Sequence, residues 1–374
     1  MAKSAYIGVN GIARKVKTIY CGVENTARKV KKGYIGIGGV ARPFFCEETA
    51  VYYGTISPLS QSRTSTGASV GDYALFAGHS YISNTNLMYT KTVDSYNNAL
   101  VKCPVAKLSE ERYVAASATV GDYAIFSGGY TKSIASYAFD AYSSDLVQKA
   151  APKSSVSRGS CDATAVGNYA LFAGGTGAES SVVDTVESYN SNLVKGTAAK
   201  LSAARHLIAA ATVGEFALFA GGDKGRNYYS SSNIVDTYSA NLVKGVATVL
   251  SEARLGAAAA TVGDYALIAA GGGTGSTGLN TVEVFNSALV KTTAPNLSQK
   301  GASVNAVTVG QIALFIYEKN VDADVYDANL VKSIAPGLSQ TREDFAATAV
   351  GKYALIAGGR ASGGSSDVVD VYTI

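Results

Sequence analysis

Two residue types recur along this chain at spacings that could do chemistry. One is an acid followed two positions later by Tyr or Phe, and the other an Arg that usually closes a Leu-Ser-X-X-Arg segment. The acids are Asp94, Asp140, Glu187, Asp236, Glu283, Asp324 and Asp370; the bases are Arg63, Arg112, Arg158, Arg205, Arg254 and Arg342, with Lys300 read in place of the missing one. Guanidiniums gathered at a common mouth would bind an anion, which makes Arg112, Arg205 and Arg254 candidate ligand-binding residues. Acids recurring in step with the bases favour a different use, charge pairing within or between repeat units.

Other chemistry has little to stand on. The only histidines, His79 and His206, lie in different units, and no H-x-x-x-H or H-E-x-x-H spacing exists. Cys21, Cys46, Cys103 and Cys161 are scattered without C-x-x-C spacing, so neither a zinc knuckle nor a disulfide framework is indicated. No nucleophile elbow or phosphate-cradling loop before a helix is present. The chain is therefore read as a non-enzyme, with no catalytic residues, no metal and no cofactor.

The elements that must position these residues form a repeat. The stretch TVGDYAIFSGG at residues 119–129 returns seven times, centred on Gly71, Gly121, Gly167, Gly214, Gly263, Gly310 and Gly351, at spacings of 50, 46, 47, 49, 47 and 41 residues. Such a period marks stacked or ring-forming units. Each unit predicts four strands. A first strand rich in Ala, Ser and Thr suits a crowded axis. A Val-Gly-X-Tyr turn of type II′ follows, then an apolar second strand ending in a glycine pair. The pairs are read as Gly128-Gly129, Gly174-Gly175, Gly221-Gly222, Gly272-Gly273 and Gly358-Gly359, with Gly78-His79 in the first unit and Ile316-Tyr317 in the sixth. A third strand carries the acid, and a fourth usually reads Leu-Val-Lys.

Glycine doublet, Tyr and Arg at about 47-residue spacing resemble the Kelch repeat over residues 47–374, without that repeat's Trp. The resemblance implies an all-β, seven-bladed propeller of four-stranded antiparallel blades. Copper radical oxidases on such blades need paired histidines and sialidases carry aspartate boxes, and neither pattern occurs. Only six fourth strands follow the seven third strands. Residues 50–63, AVYYGTISPLSQSR, align with the fourth strand and linker that end at Arg342, so the strand around Val51 to Tyr53 is expected to complete blade seven and close the ring.

Residues 1–46 are a separate segment with a period of 14, in which Tyr6, Tyr20 and Tyr34, Gly8, Gly22 and Gly36, and Arg14, Arg28 and Arg42 coincide. It reads as three short hairpins. It holds nine Lys and Arg against Glu24 alone, within a chain of net charge +4. This segment resembles the start of phage and prophage tail-associated proteins of Gram-positive bacteria, which implies attachment to other virion or tail proteins. Its basic residues alternate with Val and Ala and lack a stacking platform, so no nucleic-acid partner is expected. No signal-peptide pattern or run of about 20 apolar residues appears, so neither membrane insertion nor a leader is expected. The implied location is a virion or tail-like particle made in the bacterial cytoplasm, in which a symmetric homo-oligomer is allowed for.

Binding is expected where the units differ. Strand alternation puts the loops between second and third strands on the same face as the Arg-bearing linkers. These loops interleave Tyr81, Tyr89, Tyr130, Tyr228 and Tyr229 with Asn and Ser, a make-up suited to recognition and sugar stacking. The reading is a host-recognition protein whose loops bind a cell-surface glycan or protein. The alternative is a scaffold component making only protein contacts. A carboxylate-dependent polysaccharide hydrolase or lyase finds no convergent residues in its favour.

Overall fold

The computed structural model describes residues 49–374 except 79, 84–85, 115, 133, 226–229, 274–277, 302 and 319–321, together with six strands before them. The chain divides into two units, Met1–Thr49 and Ala50–Ile374. In the first, three antiparallel hairpins pair Tyr6–Val9 with Ile12–Lys15, Tyr20–Val23 with Thr26–Lys29, and Lys32–Ile37 with Val40–Cys46.

The second unit is an all-β propeller of seven four-stranded antiparallel blades. Blade two is representative. Ala116–Val120, Tyr123–Ser127, Phe139–Ser143 and Gln148–Lys149 lie side by side in chain order. The Gly of each Val-Gly-X-Tyr turn has φ between 52° and 56°, while X keeps negative φ, the combination a II′ hairpin requires. The second strands are buried on both faces because each lies between neighbouring blades. One core cluster, for example, joins Leu75 and Ala77 of blade one to Ala124, Phe126 and Tyr142 of blade two.

Closure occurs as the strand count requires. Val51–Ile56 pairs antiparallel with Val369–Thr373, the third strand of blade seven. Tyr52 packs edge-on against Tyr372 at 5.4 Å between centroids and donates its hydroxyl to Asp370 at 2.6 Å. The last core layer then joins Leu355 and Val369 of blade seven to Ala74, Phe76 and Tyr96 of blade one.

Inner and outer edges are fixed differently. Around the axial channel, small side chains let the first strands crowd, and Thr hydroxyls reach across: Thr212 donates to the Ala165 carbonyl at 2.5 Å and Thr308 to the Thr261 carbonyl at 2.7 Å. At the outer edge the turn into the fourth strand places Leu100, Leu146, Leu193, Leu242, Leu289 and Leu330 at φ near 60°. That conformation ordinarily selects Gly. Leu is held there because it packs into the inter-blade core, as Leu193 does at 7 % exposure. The Lys of Leu-Val-Lys lies in the fourth strand. It donates to a linker carbonyl, Lys244 to Lys200 at 2.6 Å and Lys332 to Asn296 at 2.7 Å.

Candidate functional site

The recurring Arg and acid meet inside six of the seven blades. Arg112 donates to Asp140 at 2.7 Å, to the Gly128 carbonyl at 3.0 Å and to the Phe126 carbonyl at 3.1 Å. Arg63 reaches Asp94 at 2.8 Å, Arg254 reaches Glu283 at 3.0 Å, and Arg205 pairs with Asp236. All six guanidiniums are fully buried. Burial weakens the charged form of Arg63, Arg205, Arg254 and Arg342, and the facing carboxylate opposes that loss. At Asp94 burial raises the pKa, but Arg63, Lys102 and Ser60 together outweigh it and hold the carboxyl below its ordinary range. Arg112, Arg205 and Arg254 therefore do not offer an anion site. With no solvent contact and their terminal guanidinium nitrogens turned to carboxylate and carbonyl oxygens, they tie linker to blade, although the buried Nε of Arg205 and of Arg254 has no partner.

Their backbone ties blade to blade. The second glycine of each pair donates its N–H to the carbonyl of the next blade's Arg, as Gly129 does to Arg158 at 2.7 Å and Gly222 to Arg254 at 2.8 Å. A Cβ on Gly128 would stand 2.4 Å from the Arg158 oxygen, and one on Gly129 would stand 1.4 Å from the Tyr113 oxygen. In blade two neither position has room for a side chain.

Two blades shift the expected register. In blade five the pair is Ala270-Gly271 and not Gly272-Gly273. Ala270 takes φ 60°, its carbonyl accepts from Arg254 at 3.1 Å, and Gly271 donates to the Gly301 carbonyl at 3.2 Å. That last bond shows that Gly301, not the exposed Lys300, stands at the Arg position of blade six. There the second strand, Ile312–Tyr317, runs one residue further, so that Tyr317 and Glu318 replace the glycine pair. The Tyr317 hydroxyl donates to Asp324, taking the place of the absent guanidinium.

These ties bring linkers and variable loops together on one face, through antiparallel bridges Tyr113–Tyr130, Gly159–Thr176, His206–Asp223, Leu255–Gly272 and Glu343–Arg360. Where blades seven, one, two and three adjoin, this face opens into a cavity of about 460 Å³ lined by Tyr89, Tyr113 and Tyr130, by Asp344 and Arg360, and by Thr64, Ser80 and Ser160. Its volume is that of small-molecule sites.

Tyr89 and Tyr130, both expected to bind, are brought together here. Tyr81 lies in the adjoining hairpin opposite Met88 and does not line the cavity. Tyr228 and Tyr229 lie outside the described residues. The Tyr130 hydroxyl bonds to Thr176 and its ring lies across Gly159, where a Cβ would come within 2.1 Å of the ring. The aromatic wall is thus set before any ligand arrives. Tyr113 is pushed up to about 12 by burial and then by Asp344, against the pull of Arg360. Arg360 pairs with Asp344, and both stay about half exposed. The Asp344 N–H donates to Glu318 at 3.2 Å, and burial, with Asp344 and Glu343 nearby, raises the Glu318 pKa.

Sequence reasoning missed Tyr113, Asp344 and Arg360, although a signal was present. Thr64, Tyr113, Gly159, His206, Leu255 and Glu343 each follow the Arg, and Ser80, Tyr130, Thr176, Asp223 and Arg360 each follow the glycine pair. These variable positions beside constant ones form the innermost rim of the loop face. His206 belongs to this rim as a structural group, with Nε2 2.9 Å from the Gly225 carbonyl oxygen. Among the described residues no cluster of three His, Cys, Asp or Glu is placed to hold a metal.

No family model matches the chain, and no curated protein matches it in sequence. Solved structures do match: 594 chains are similar in fold. Among them the structure of YjhT has a TM-score of 0.53 at 13 % identity, over 85 % of this chain and 99 % of YjhT. That likeness shows the propeller fold. It also overturns the reading of the chain as a non-enzyme, because that reading rested on missing motifs, and a propeller shared with YjhT leaves chemistry to be decided by the site.

Proposed function

We propose that the propeller is a recognition domain whose loop face binds a cell-surface glycan or protein, and that residues 1–46 attach it to a phage tail or related particle. The observation that carries this reading is the convergence of the variable loops and rim on one cavity, lined by Tyr89, Tyr113 and Tyr130 and by the half-exposed Asp344–Arg360 pair. Aromatic faces beside exposed donors and acceptors suit a ligand with both apolar and polar surface. Entry of the chain supports the division of labour. Val51 pairs with Thr373 and Ile56 with Val369, so the polypeptide enters the propeller at the face opposite the cavity.

The Kelch-like and tail-associated resemblances remain part of this proposal. The test is binding of fluorescently labelled full-length protein to intact Gram-positive cells, compared with Tyr89→Ala and Tyr130→Ala. Retention on cells, with loss of at least about tenfold in either variant, supports it. Equal retention of both variants, or no retention of the parent beside tight capture by particle proteins, refutes it in favour of a scaffold.

A further inference from the structure

The cavity also restricts what kind of molecule the loop face can hold, an inference that rests on the recognition reading just given. We infer that it takes an uncharged hexopyranosyl unit of a glycan, with the sugar's C–H face on Tyr130 and two neighbouring hydroxyls on the Asp344–Arg360 pair. The charges at the rim point this way. Asp344 and Arg360 cancel, each is about half exposed, and Glu343 and Glu318 lie beside Asp344. A carboxylate or phosphate ligand would have to approach Arg360 past these acids. A purely apolar ligand would strip water from the half-exposed pair without offering it partners. A vicinal diol satisfies both members at once, its two O–H groups donating to Asp344 while an oxygen accepts from Arg360.

The aromatic wall selects a ring over a flexible chain. Tyr130 is locked over Gly159 and bonded to Thr176, so it offers a flat, pre-set surface that costs little ordering on binding.

The experiment titrates full-length protein with methyl glucopyranoside, methyl galactopyranoside, N-acetylglucosamine and glucuronate, by calorimetry and saturation-transfer NMR. Asp344→Asn and Tyr130→Ala are run beside it, with melting temperatures confirming that both fold. At least one neutral sugar binds, glucuronate binds more weakly, and Asp344→Asn loses about tenfold or more. Tighter binding of glucuronate, no binding of any neutral sugar, or an unchanged affinity in Asp344→Asn overturns the assignment. Cell binding of the parent protein, measured in parallel, separates the two readings. If cells are bound but no neutral sugar competes, the sugar assignment falls and recognition stands. If a sugar binds but no cell surface is held, recognition falls.

Discussion

Blade six contains its own experiment, since Gly301 has replaced Arg and Tyr317 has taken over its acid. Tyr317 is 4 % exposed and hydrogen-bonded to Asp324. Cutting it to Gly removes a buried aromatic ring and a hydrogen bond to a charged group, an expected loss of about 4–6 kcal/mol. Asp324 keeps Lys332 at 2.9 Å and the Ser298 N–H at 2.6 Å, which keeps the loss from going higher. Gly301→Arg alone forces a guanidinium into space that Tyr317 fills, an overpacking cost of about 1–3 kcal/mol. Together the changes rebuild the arrangement of the other blades. The double variant is then more stable than the summed losses predict by about 3 kcal/mol, a strong coupling for two contacting positions. At roughly 2 °C per kcal/mol, Tyr317→Gly lowers Tm by about 10 °C and the added Arg, instead of lowering it by about a further 4 °C, restores about 2 °C. Thermal and urea melts followed by circular dichroism give the four corners of the cycle, and Tyr317→Phe isolates the hydroxyl at about 1.5–3 kcal/mol. Simple additivity would refute the view that Tyr317 stands in for a guanidinium.

Three further outcomes follow from the same structure. Removing residues 1–56 lowers Tm by about 10 °C or more, against about 2 °C or less for removing 1–46, because only the longer cut takes away the closing strand; equal shifts would count against closure. Leu193 combines φ 59° with burial, so Leu193→Ala destabilises more than Leu193→Gly, by about 1 kcal/mol, since Ala loses the packing and keeps the strain; the opposite order in urea melts would show that the turn is not strained. Asp162, at the start of the first strand of blade three, accepts the N–H groups of Ala163 at 2.8 Å and Ala210 at 2.9 Å, and burial pushes it up to about 7. Its folded pKa lies above the unfolded value, so the native state binds the extra proton between about pH 4 and 7 and stability falls as pH rises through that window. Asp162→Asn flattens this slope; an unchanged slope would rule the carboxyl out as its source.

The scale of the fold was legible because a propeller repeats. Seven Val-Gly-X turns, five of them followed by Tyr, give seven blades, and the surplus strand before residue 57 left one partner for the unmatched edge at residues 369–373. Register was harder. In blade five a literal search for two glycines finds Gly272-Gly273, but backbone conformation at the contact, not residue identity, defines the pair, and Ala270 meets it at φ 60°. In blade six a one-residue offset at the linker made Lys300 look like the missing base. Only the bond from Gly271 to Gly301 fixes the true position.

Periodicity and composition by themselves determined the strand order, the small residues at the axis and the closure, since these depend on spacing along the chain. Which way a side chain faces depends on the neighbouring blade. Arg112, Arg205 and Arg254 could have pointed to solvent or inward from the same linker, and only tertiary packing, which supplies an acid and two carbonyls within 3.1 Å of Arg112, turns it inward. The cavity was set at the same level. Tyr113, Tyr130, Asp344 and Arg360 are up to 247 positions apart in the chain, and they meet because the ring brings the last blade round to the first.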